Sequence, residues 1–407
     1  MRLAFAAALL LFLTTITSAA EPRRVTVREV EGTAPADAIE VRGVDAGPFD
    51  PAIWEAGKLH LLPDVRSPLL EPRDGKFRNI YAPSIVQTKD VWEIYYGGWD
   101  GSASGNDRIY GVTTPNLITF GDRQTIIDHG DFRHVCNVSA TRLPDDALAM
   151  MCTVFPDTKG LNKPAFFRDP GRSAPRIASR EDIITIDGYP AYADADINGM
   201  NVLLHEDGRF RLYFCNFRDG GKVFRASSED GKHYAFDGVA LPDGALVNDV
   251  KKFRVGDGNW YLMALHHNGD RLGYALSRDG QTFEPQRVLC TRQGEADAFM
   301  VAVGFVVSGE QEKAGRRVLG ILYGAGAKPA LNANRVFARW LQKRIVLTAG
   351  DELFESTQAR GPDAQIVQLP RAVKVPLELY AEDGVTLIGR SEATRFEPGR
   401  TYAIHVE

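Results

Sequence analysis

The stretch YAPSIVQTKDVWEIYYGGWDGSASGNDRIYGVTTPNLITF, residues 81–120, predicts four short β-strands joined by turns. It opens with an apolar strand, and the second strand alternates apolar and polar residues. Two further apolar runs flank the turn Pro115-Asn116. Alternation with a period of two residues is typical of a half-buried strand. The stretch is therefore predicted to form a β-meander.

The same pattern recurs four more times along the chain. Its opening strands start at intervals of 54, 62, 50 and 52 residues, and these starts are Tyr81, Val135, Ile197, Val247 and Phe299. A period of roughly 50 residues with about four strands in each unit predicts an all-β, five-bladed propeller. One unit cannot bury both faces of its sheet, whereas five units in a ring can. An open sandwich is the alternative.

Two near-identical segments predict tight hairpins between strands, residues 228–234 (SEDGKHY) and 277–283 (SRDGQTF). Each resembles a shortened sialidase Asp-box. We interpret both as structural, because Asp-Gly supplies the left-handed turn and the final aromatic ring packs behind it.

The repeat divides the chain into four parts. Residues 1–20 are predicted to be a signal peptide, 21–75 an N-terminal extension, and 76–348 the five blades. Residues 349–407 keep strand patterning and either close the ring or form a small β appendage. Within the extension, residues 59–72 either run along the outside of the propeller or complete its last sheet.

Composition and the N-terminus limit the class of partner. The net charge is −5 and 25% of the residues are charged, so no basic excess favours nucleic acid. An apolar run over residues 3–13 precedes the small residues Ser18, Ala19 and Ala20, which predicts cleavage before Glu21 and a secreted or periplasmic protein. The run is too short to span a bilayer, and an uncleaved anchor is the alternative. No membrane partner is predicted.

Cys136, Cys152, Cys215 and Cys290 are interpreted as buried apolar side chains and not as disulfides. A two-residue turn at Asp145-Asp146 would put Cys152 opposite Ser139. Cys136 would then face the other side of the sheet. No CxxC or HExxH motif is present, and neither a metal nor another cofactor is predicted.

Propeller topology predicts where ligand-binding side chains collect. Inner strands start at one rim of the central funnel, and the loops between second and third strands return to that rim. The opposite rim is expected to carry only ordinary turns. The predicted substrate-binding residues on the first rim are Arg78, Asn79, Tyr81, Trp99, Asp100, Arg108, His134, Asn137, Asn198, His266 and Arg335. Such a mixture suits a polyhydroxylated ligand.

The five-blade span resembles the propeller glycosidases of glycoside hydrolase family 43 and its relatives in families 32, 117 and 130. The motifs shared are the inner strand with Ala82-Pro83, the second strand with Tyr95-Tyr96, and the turn over residues 115–120. The resemblance implies three carboxylates at inner-strand starts: a base on the first blade, an orienting aspartate on the third and an acid on the fourth.

Two of these implied positions match carboxylates in this chain. The third-blade aspartate matches Asp196 and the fourth-blade acid matches Asp249, whereas the first-blade Asp-Pro is Ala82-Pro83 here. The base is therefore expected from the adjoining loop, from Asp107 or Asp100, and we assign Asp107 as the base toward water. The predicted catalytic residues are Asp249 as acid, Asp196 as its orienting neighbour, and Asp107.

Contacts with substrate are expected from aromatic and basic side chains. Trp99 and Tyr81 are predicted to stack on a sugar ring, and Arg78, Arg108 and Arg335 to hold a carboxylate or sulfate group. Each acid also has a simpler interpretation: Asp249 as a strand hydrogen-bond acceptor, Asp107 as an Asx-turn, and Asp196 as a solvated loop charge.

The sequence thus predicts an exported glycoside hydrolase acting on an oligo- or polysaccharide. Two alternatives remain open: a non-catalytic carbohydrate-binding propeller, which the missing Asp-Pro favours, and a phosphate-dependent phosphorylase of the family 130 type.

Overall fold

A computed structural model describes residues 21–71, 81–89, 91–98, 107–171, 174–242, 244–330 and 333–407. The predicted signal peptide lies outside these ranges. Among these described residues strands account for 55% and helices for 4%, so the predicted all-β class is confirmed. The short helices are α1 (Pro51–Ala56) and the 3₁₀ turns Arg180–Asp182 and Tyr192–Asp194.

Five sheets form the predicted propeller, and each is a meander that starts on an inner strand. With strands numbered in chain order, blade one contains β4 (Tyr81–Gln87), β5 (Trp92–Gly98), β6 (Arg108–Thr114), β7 (Gln124–Asp128) and β11 (Arg176–Ile177). Blade two contains β8 (His134–Arg142), β9 (Leu148–Phe155) and β10 (Lys163–Arg168). Blade three contains β13 (Val202–Glu206), β14 (Arg209–Cys215), β15 (Val223–Ser228), β16 (His233–Leu241) and β12 (Thr185–Asp187). Blade four contains β17 (Leu246–Val255), β18 (Gly258–His266), β19 (Arg271–Ser277) and β20 (Arg287–Thr291).

Blade five shows how the ring closes. It contains β21 (Phe299–Ser308), β22 (Arg317–Gly326), β23 (Arg335–Leu341) and β3 (Leu61–Pro63). The outermost strand therefore comes from the N-terminal side, with Trp340 opposite Leu62. Residues 59–72 were predicted either to run along the outside of the propeller or to complete its last sheet, and Leu61–Pro63 completes that sheet.

The hydrophobic core is divided among the blade interfaces. Apolar side chains from facing sheets form one buried cluster between blades one and two, and others between two and three, three and four, four and five, and five and one. Each sheet thus buries both faces against its neighbours, which is the reason that a single meander is insufficient.

The two ends of the chain meet in one closed barrel. Its strands are β1 (Arg23–Val30), β2 (Ala38–Arg42), β24 (Arg344–Ala349), β25 (Glu352–Ala359), β26 (Ala364–Gln368), β28 (Leu377–Tyr380), β29 (Leu387–Ser391) and β31 (Thr401–Val406). A separate ribbon pairs β27 (Val373–Val375) with β30 (Thr394–Phe396). Because β1 and β2 both pair with β31, the extension and the C-terminal segment form one unit.

The two SxDG turns make the contacts expected of structural motifs. The Ser228 hydroxyl accepts the Gly231 N–H at 3.0 Å, and Asp230 Oδ1 accepts the N–H groups of Lys232 and His233, each at 2.8 Å. The turn at residues 277–283 repeats the pattern. Both glycines adopt the left-handed region, with a φ of 81° at Gly231 and 67° at Gly280. Side chains of each turn therefore accept the backbone N–H groups of the same turn.

The hairpin of blade two differs by one residue from its predicted register. Leu143 N donates to Ala147 O at 2.9 Å, so three residues and not two form the turn. Ser139 consequently lies opposite Met151 and not Cys152. All four cysteines are buried and unpaired, in agreement with their predicted role as apolar side chains.

One buried carboxylate links the barrel to blade five. Asp64 is 4% exposed. Its Oδ2 accepts Trp340 Nε1–H at 2.6 Å and the Gly361 N–H at 3.1 Å, and its Oδ1 accepts Arg66 Nε–H at 2.9 Å. One side chain therefore satisfies donors from the propeller, the barrel and the segment between them.

We predict that Asp64→Asn lowers the free energy of unfolding by about 3 kcal/mol, because it removes the charge that pairs with a half-buried guanidinium. Urea denaturation measures the change. The control is Asp207→Asn, at an exposed turn residue, which should change stability by less than about 0.5 kcal/mol. A loss below about 1 kcal/mol for Asp64→Asn would contradict the proposed link.

Candidate functional site

A β-bulge near the start of the inner strands sets which side chains belong to the first rim. Register shifts occur after Tyr81, Cys136, Val247 and Met300. The residues inside the first three bulges include Ala82, Asn137 and Asn248. Ala82 and Asn137 adopt the left-handed region, with φ of 51° and 53°. The residue of blade four that matches Ala82 is therefore Asn248, one position before Asp249.

Asp249 makes contacts with the middle of the next inner strand. Its Oδ2 accepts the Phe305 N–H at 2.9 Å, and its Oδ1 lies 3.0 Å from Lys251 Nζ. Phe305 is six residues beyond Phe299, the start of its strand. Both oxygens of Asp249 are thus occupied by contacts within the inner strands.

The same type of contact recurs between other inner strands. Ser84 Oγ accepts the Ala140 N–H at 2.9 Å, and Ser139 Oγ accepts the Leu203 N–H at 3.0 Å. A side chain after the bulge therefore links one inner strand to the backbone of the next. Asp249 occupies the corresponding place in blade four.

Asp107 lies between blades one and two. Its Oδ2 accepts the Tyr81 hydroxyl at 2.9 Å, and its carbonyl accepts the Val135 N–H at 2.9 Å. Burial raises the pKa of Tyr81, and the nearby Asp107 charge raises it further. Tyr81 consequently remains a hydrogen-bond donor to the carboxylate.

Asp196 lies between blades two and three. Its Oδ1 accepts two hydrogen bonds from Asn162, at 3.0 Å from the backbone N–H and 2.8 Å from the side-chain amide. The Asp196 N–H donates to Asn216 Oδ1 at 3.2 Å. Within the described part of the chain Oδ2 has no hydrogen-bond partner, so the carboxylate is oriented through one oxygen only.

His134 lies between these two acids along the rim. It directly precedes Val135, which contacts Asp107, and the Asn162 amide lies beside its ring. Burial lowers the pKa of His134, and Asn162 acts in the opposite direction. The ring stacks on Phe155 with centroids 5.1 Å apart. Two carboxylates and a neutral imidazole therefore share one stretch of the rim.

The remaining predicted substrate-binding residues make contacts of their own, away from Asp107 and Asp196 in the contacts that the structure gives. Asn137 is 9% exposed, and Asn198 Oδ1 accepts the N–H of the following Gly199 at 2.8 Å. Arg108 Nε lies 3.2 Å from Asp128 Oδ2, and Arg335 Nη1 donates to Asn334 O at 2.7 Å. The remaining four predictions lie outside the described residues: Arg78, Asn79, Trp99 and Asp100.

Three residues of the site were not identified from the sequence: Asn162, Asn216 and Phe217. Phe217 is 45% exposed, donates its N–H to Asp196 O at 2.9 Å, and lies beside Gly199. Phe217 follows the end of a second strand in the sequence, as Trp99 does. An aromatic residue at that position in the repeat is the sequence feature that could have identified it. The two asparagines carry no comparable sequence signal.

His266 is buried behind Asn248. Its Nδ1 lies 2.8 Å from Asn248 Oδ1, and its Nε2 lies 3.1 Å from the Asn268 amide. Burial lowers the pKa of His266 to about 3, with Asn268 acting in the opposite direction. The imidazole is therefore neutral across the physiological range and is unsuited to hold an anion by charge.

We predict a pH signature for this histidine. The unfolded chain binds a proton near pH 6.5 and the folded chain only near pH 3, so acidification favours unfolding between these values. Between pH 6.5 and 4.5, the wild type should lose about 2 kcal/mol more stability than His266→Gln. Urea denaturation across this pH range tests it, and equal pH slopes for the two proteins would refute the assignment.

None of the helices in the described ranges has the length and apolar character needed to cross a bilayer. In the same ranges, no group of three or more His, Cys, Asp and Glu side chains is arranged to hold a metal ion.

Comparison with known proteins shows the fold. No protein-family model matches the chain, and no curated protein matches its sequence. Solved structures match over the propeller. A candidate glycoside hydrolase from Parabacteroides distasonis is 10% identical, with a TM-score of 0.50 over 71% of this chain and 98% of the other. An N-acetylgalactosamine deacetylase from F. plautii is 15% identical, with a TM-score of 0.49 over 69% and 95%.

A third similar structure is the catalytic domain of a GH62 α-L-arabinofuranosidase from Coprinopsis cinerea. It is 13% identical, with a TM-score of 0.47 over 70% of this chain and 98% of that domain. At these identities the likeness concerns the fold alone. The five-bladed propeller of this chain and its likeness in fold to the Parabacteroides distasonis structure confirm the resemblance predicted from the blade motifs.

Proposed function

We propose that this chain is an exported glycoside hydrolase that cleaves an oligo- or polysaccharide at the first rim of the propeller. The observation that carries the proposal is the placement of Asp107 and Asp196 on either side of His134. Glycosidic cleavage needs one carboxyl group to protonate the leaving oxygen and a second to activate water or attack the sugar. Two acids oriented at one rim supply that pair.

The proposed roles follow from the contacts of each acid. Asp107, oriented by Tyr81, takes a proton from the attacking water while the water oxygen bonds to the anomeric carbon. Asp196 delivers a proton from Oδ2 to the leaving oxygen as the glycosidic bond breaks. This assignment moves the acid from Asp249 to Asp196, because both Asp249 oxygens are occupied by Phe305 and Lys251.

We predict that Asp107→Asn and Asp196→Asn each lower kcat/KM about 10³-fold, because an amide can neither accept nor deliver the proton. Reducing-end release from a panel of plant and algal oligosaccharides measures activity. The matched control is Asp194→Asn, since Asp194 is exposed and pairs only with Lys159 at 2.8 Å among described side chains.

Asp249→Asn distinguishes the two acid assignments. Full activity in that variant supports Asp196 as acid. A folded but inactive Asp249→Asn together with an active Asp196→Asn would return the role to Asp249 and overturn the proposed site.

A non-catalytic carbohydrate-binding propeller is the second candidate function. Ala82 favours it, because a methyl group that is 0% exposed stands where the resemblance implies a catalytic base. Binding of an oligosaccharide without cleavage by the wild type, and with equal affinity in Asp196→Asn, would establish this alternative.

Phe217 is proposed as the aromatic surface that stacks on a sugar ring beside Asp196. We predict that Phe217→Ala raises KM about tenfold with little change in kcat, whereas Phe217→Tyr keeps wild-type values. Val239→Ala is the control, since Val239 is similarly exposed at 43% but lies on an outer strand. An unchanged KM in Phe217→Ala would remove this residue from the site.

A further inference from the structure

The opposite rim of the propeller contains a cavity of about 950 Å³. The expectation that this rim carries only ordinary turns is therefore wrong. The inner strands, from their middle to their far ends, and the turns after them line the cavity, including Gln87, Arg142, Glu206, Lys251 and Arg316. An inner strand such as β21 has ten residues, so its ends are roughly 30 Å apart. The cavity mouth is thus remote from the rim with Asp107 and Asp196.

Most charged side chains that line the cavity are neutralised by a partner. Glu206 pairs with Arg211 at 2.5 Å and with Lys252 at 3.1 Å, and Glu312 pairs with Lys252 at 3.0 Å. Lining residues Glu310, Arg142 and Lys251 pair with Lys313, Glu93 and Asp249, respectively. Asp146, Asp207 and Lys89 are exposed turn residues, whose charges water screens.

Arg316 is the exception among the half-buried charged groups of the cavity wall. No carboxylate of the described residues lies within 4.0 Å of its guanidinium. Its Nη1 donates to Lys252 O at 2.5 Å, its Nε is buried without a hydrogen-bond partner, and its guanidinium lies 5.4 Å from the Phe253 ring centroid. The Phe253 ring and the Lys252 carbonyl hold the side chain in place at the wall.

The surroundings of Arg316 are unfavourable for a cation. Burial lowers the pKa of Arg316 to about 10, and the more distant charges of Asp249 and Glu312 act in the opposite direction. A half-buried guanidinium with an unused N–H group is stabilised by an anion that supplies both charge and acceptors. The planar fork suits a carboxylate, sulfate or phosphate group, which accepts two parallel hydrogen bonds.

We propose that this cavity is a second binding site, in which the guanidinium of Arg316 holds a small oxyanion. The oxyanion is either a free inorganic ion or the acidic group of a sugar. A cavity of this size accommodates a saccharide unit beyond the anionic group. The site is independent of the proposed hydrolytic reaction, because none of the residues assigned to that reaction lines it.

Isothermal titration calorimetry on the full chain tests the proposal with three ligands: sodium sulfate, sodium phosphate and digalacturonate. We expect at least one to bind with a Kd below about 10 mM, and binding to weaken with added NaCl. Tighter binding of digalacturonate than of both salts identifies an acidic sugar, and the reverse order identifies an inorganic ion. No binding of any ligand below about 10 mM would overturn the proposal.

Variants locate the site. Arg316→Met keeps an apolar stem on Phe253 but removes the guanidinium, and it should weaken binding at least tenfold. Lys313→Met, at an exposed cation outside the cavity wall, should bind like the wild type. If Arg316→Met does not fold, Arg316→Lys serves instead, because it keeps the charge and loses the fork. Wild-type affinity in the folded Arg316 variant would refute the assignment.

Asp196→Asn separates this proposal from the hydrolytic one. It should lose hydrolysis and keep the affinity for the oxyanion, so a failure of either proposal leaves the other measurable.

Discussion

The backbone contact between neighbouring inner strands is the constraint on which the rest of the structure depends. In a propeller the sheets converge toward the axis, and the inner strands approach one another most closely there. Gly304 shows how close the approach is, since a Cβ there would lie 2.4 Å from the carbonyl oxygen of Pro83. Ser84, Ser139 and Asp249 add hydrogen bonds across similar junctions. Short side chains near the axis let large aromatic residues fill the space between blades farther out.

The bulge before these contacts determines what each blade presents at the rim. It places one residue outside the ladder, in the left-handed region at Ala82 and Asn137. The bulges of blades one, two and four contain Ala82, Asn137 and Asn248, and the acids come from adjoining loops and from the segment before β13. Negative charge is therefore concentrated beside blade two, and the Asn248–His266 pair gives blade four a neutral, hydrogen-bonded wall. For the proposed hydrolase, this asymmetry predicts one orientation of a bound sugar with respect to the ring.

The sequence predicted the blades well because their signals are local. Turn residues and alternating strands repeat every 50 or so positions, and each pattern is complete within a few residues. The barrel was not predicted, because nothing local in residues 23–30 indicates that they pair with residues 401–406. Two details differ from the predicted pattern by one residue: the bulge of blade four contains Asn248, one position before Asp249, and Ser139 lies opposite Met151 and not Cys152. A bulge or a third turn residue produces such a shift, and composition does not reveal it.

Joining both ends of the chain in one barrel affects the order in which the protein assembles. During synthesis, β1, β2 and β3 leave the ribosome first, yet their partners β23, β26, β29 and β31 are made more than 270 residues later. Contacts so distant in sequence form slowly. The first strands must stay unpaired while the blades condense one after another, and the newest residues then complete both the barrel and the ring. A truncated chain thus exposes several unsatisfied sheet edges at once, which makes incomplete products easy targets for proteolysis.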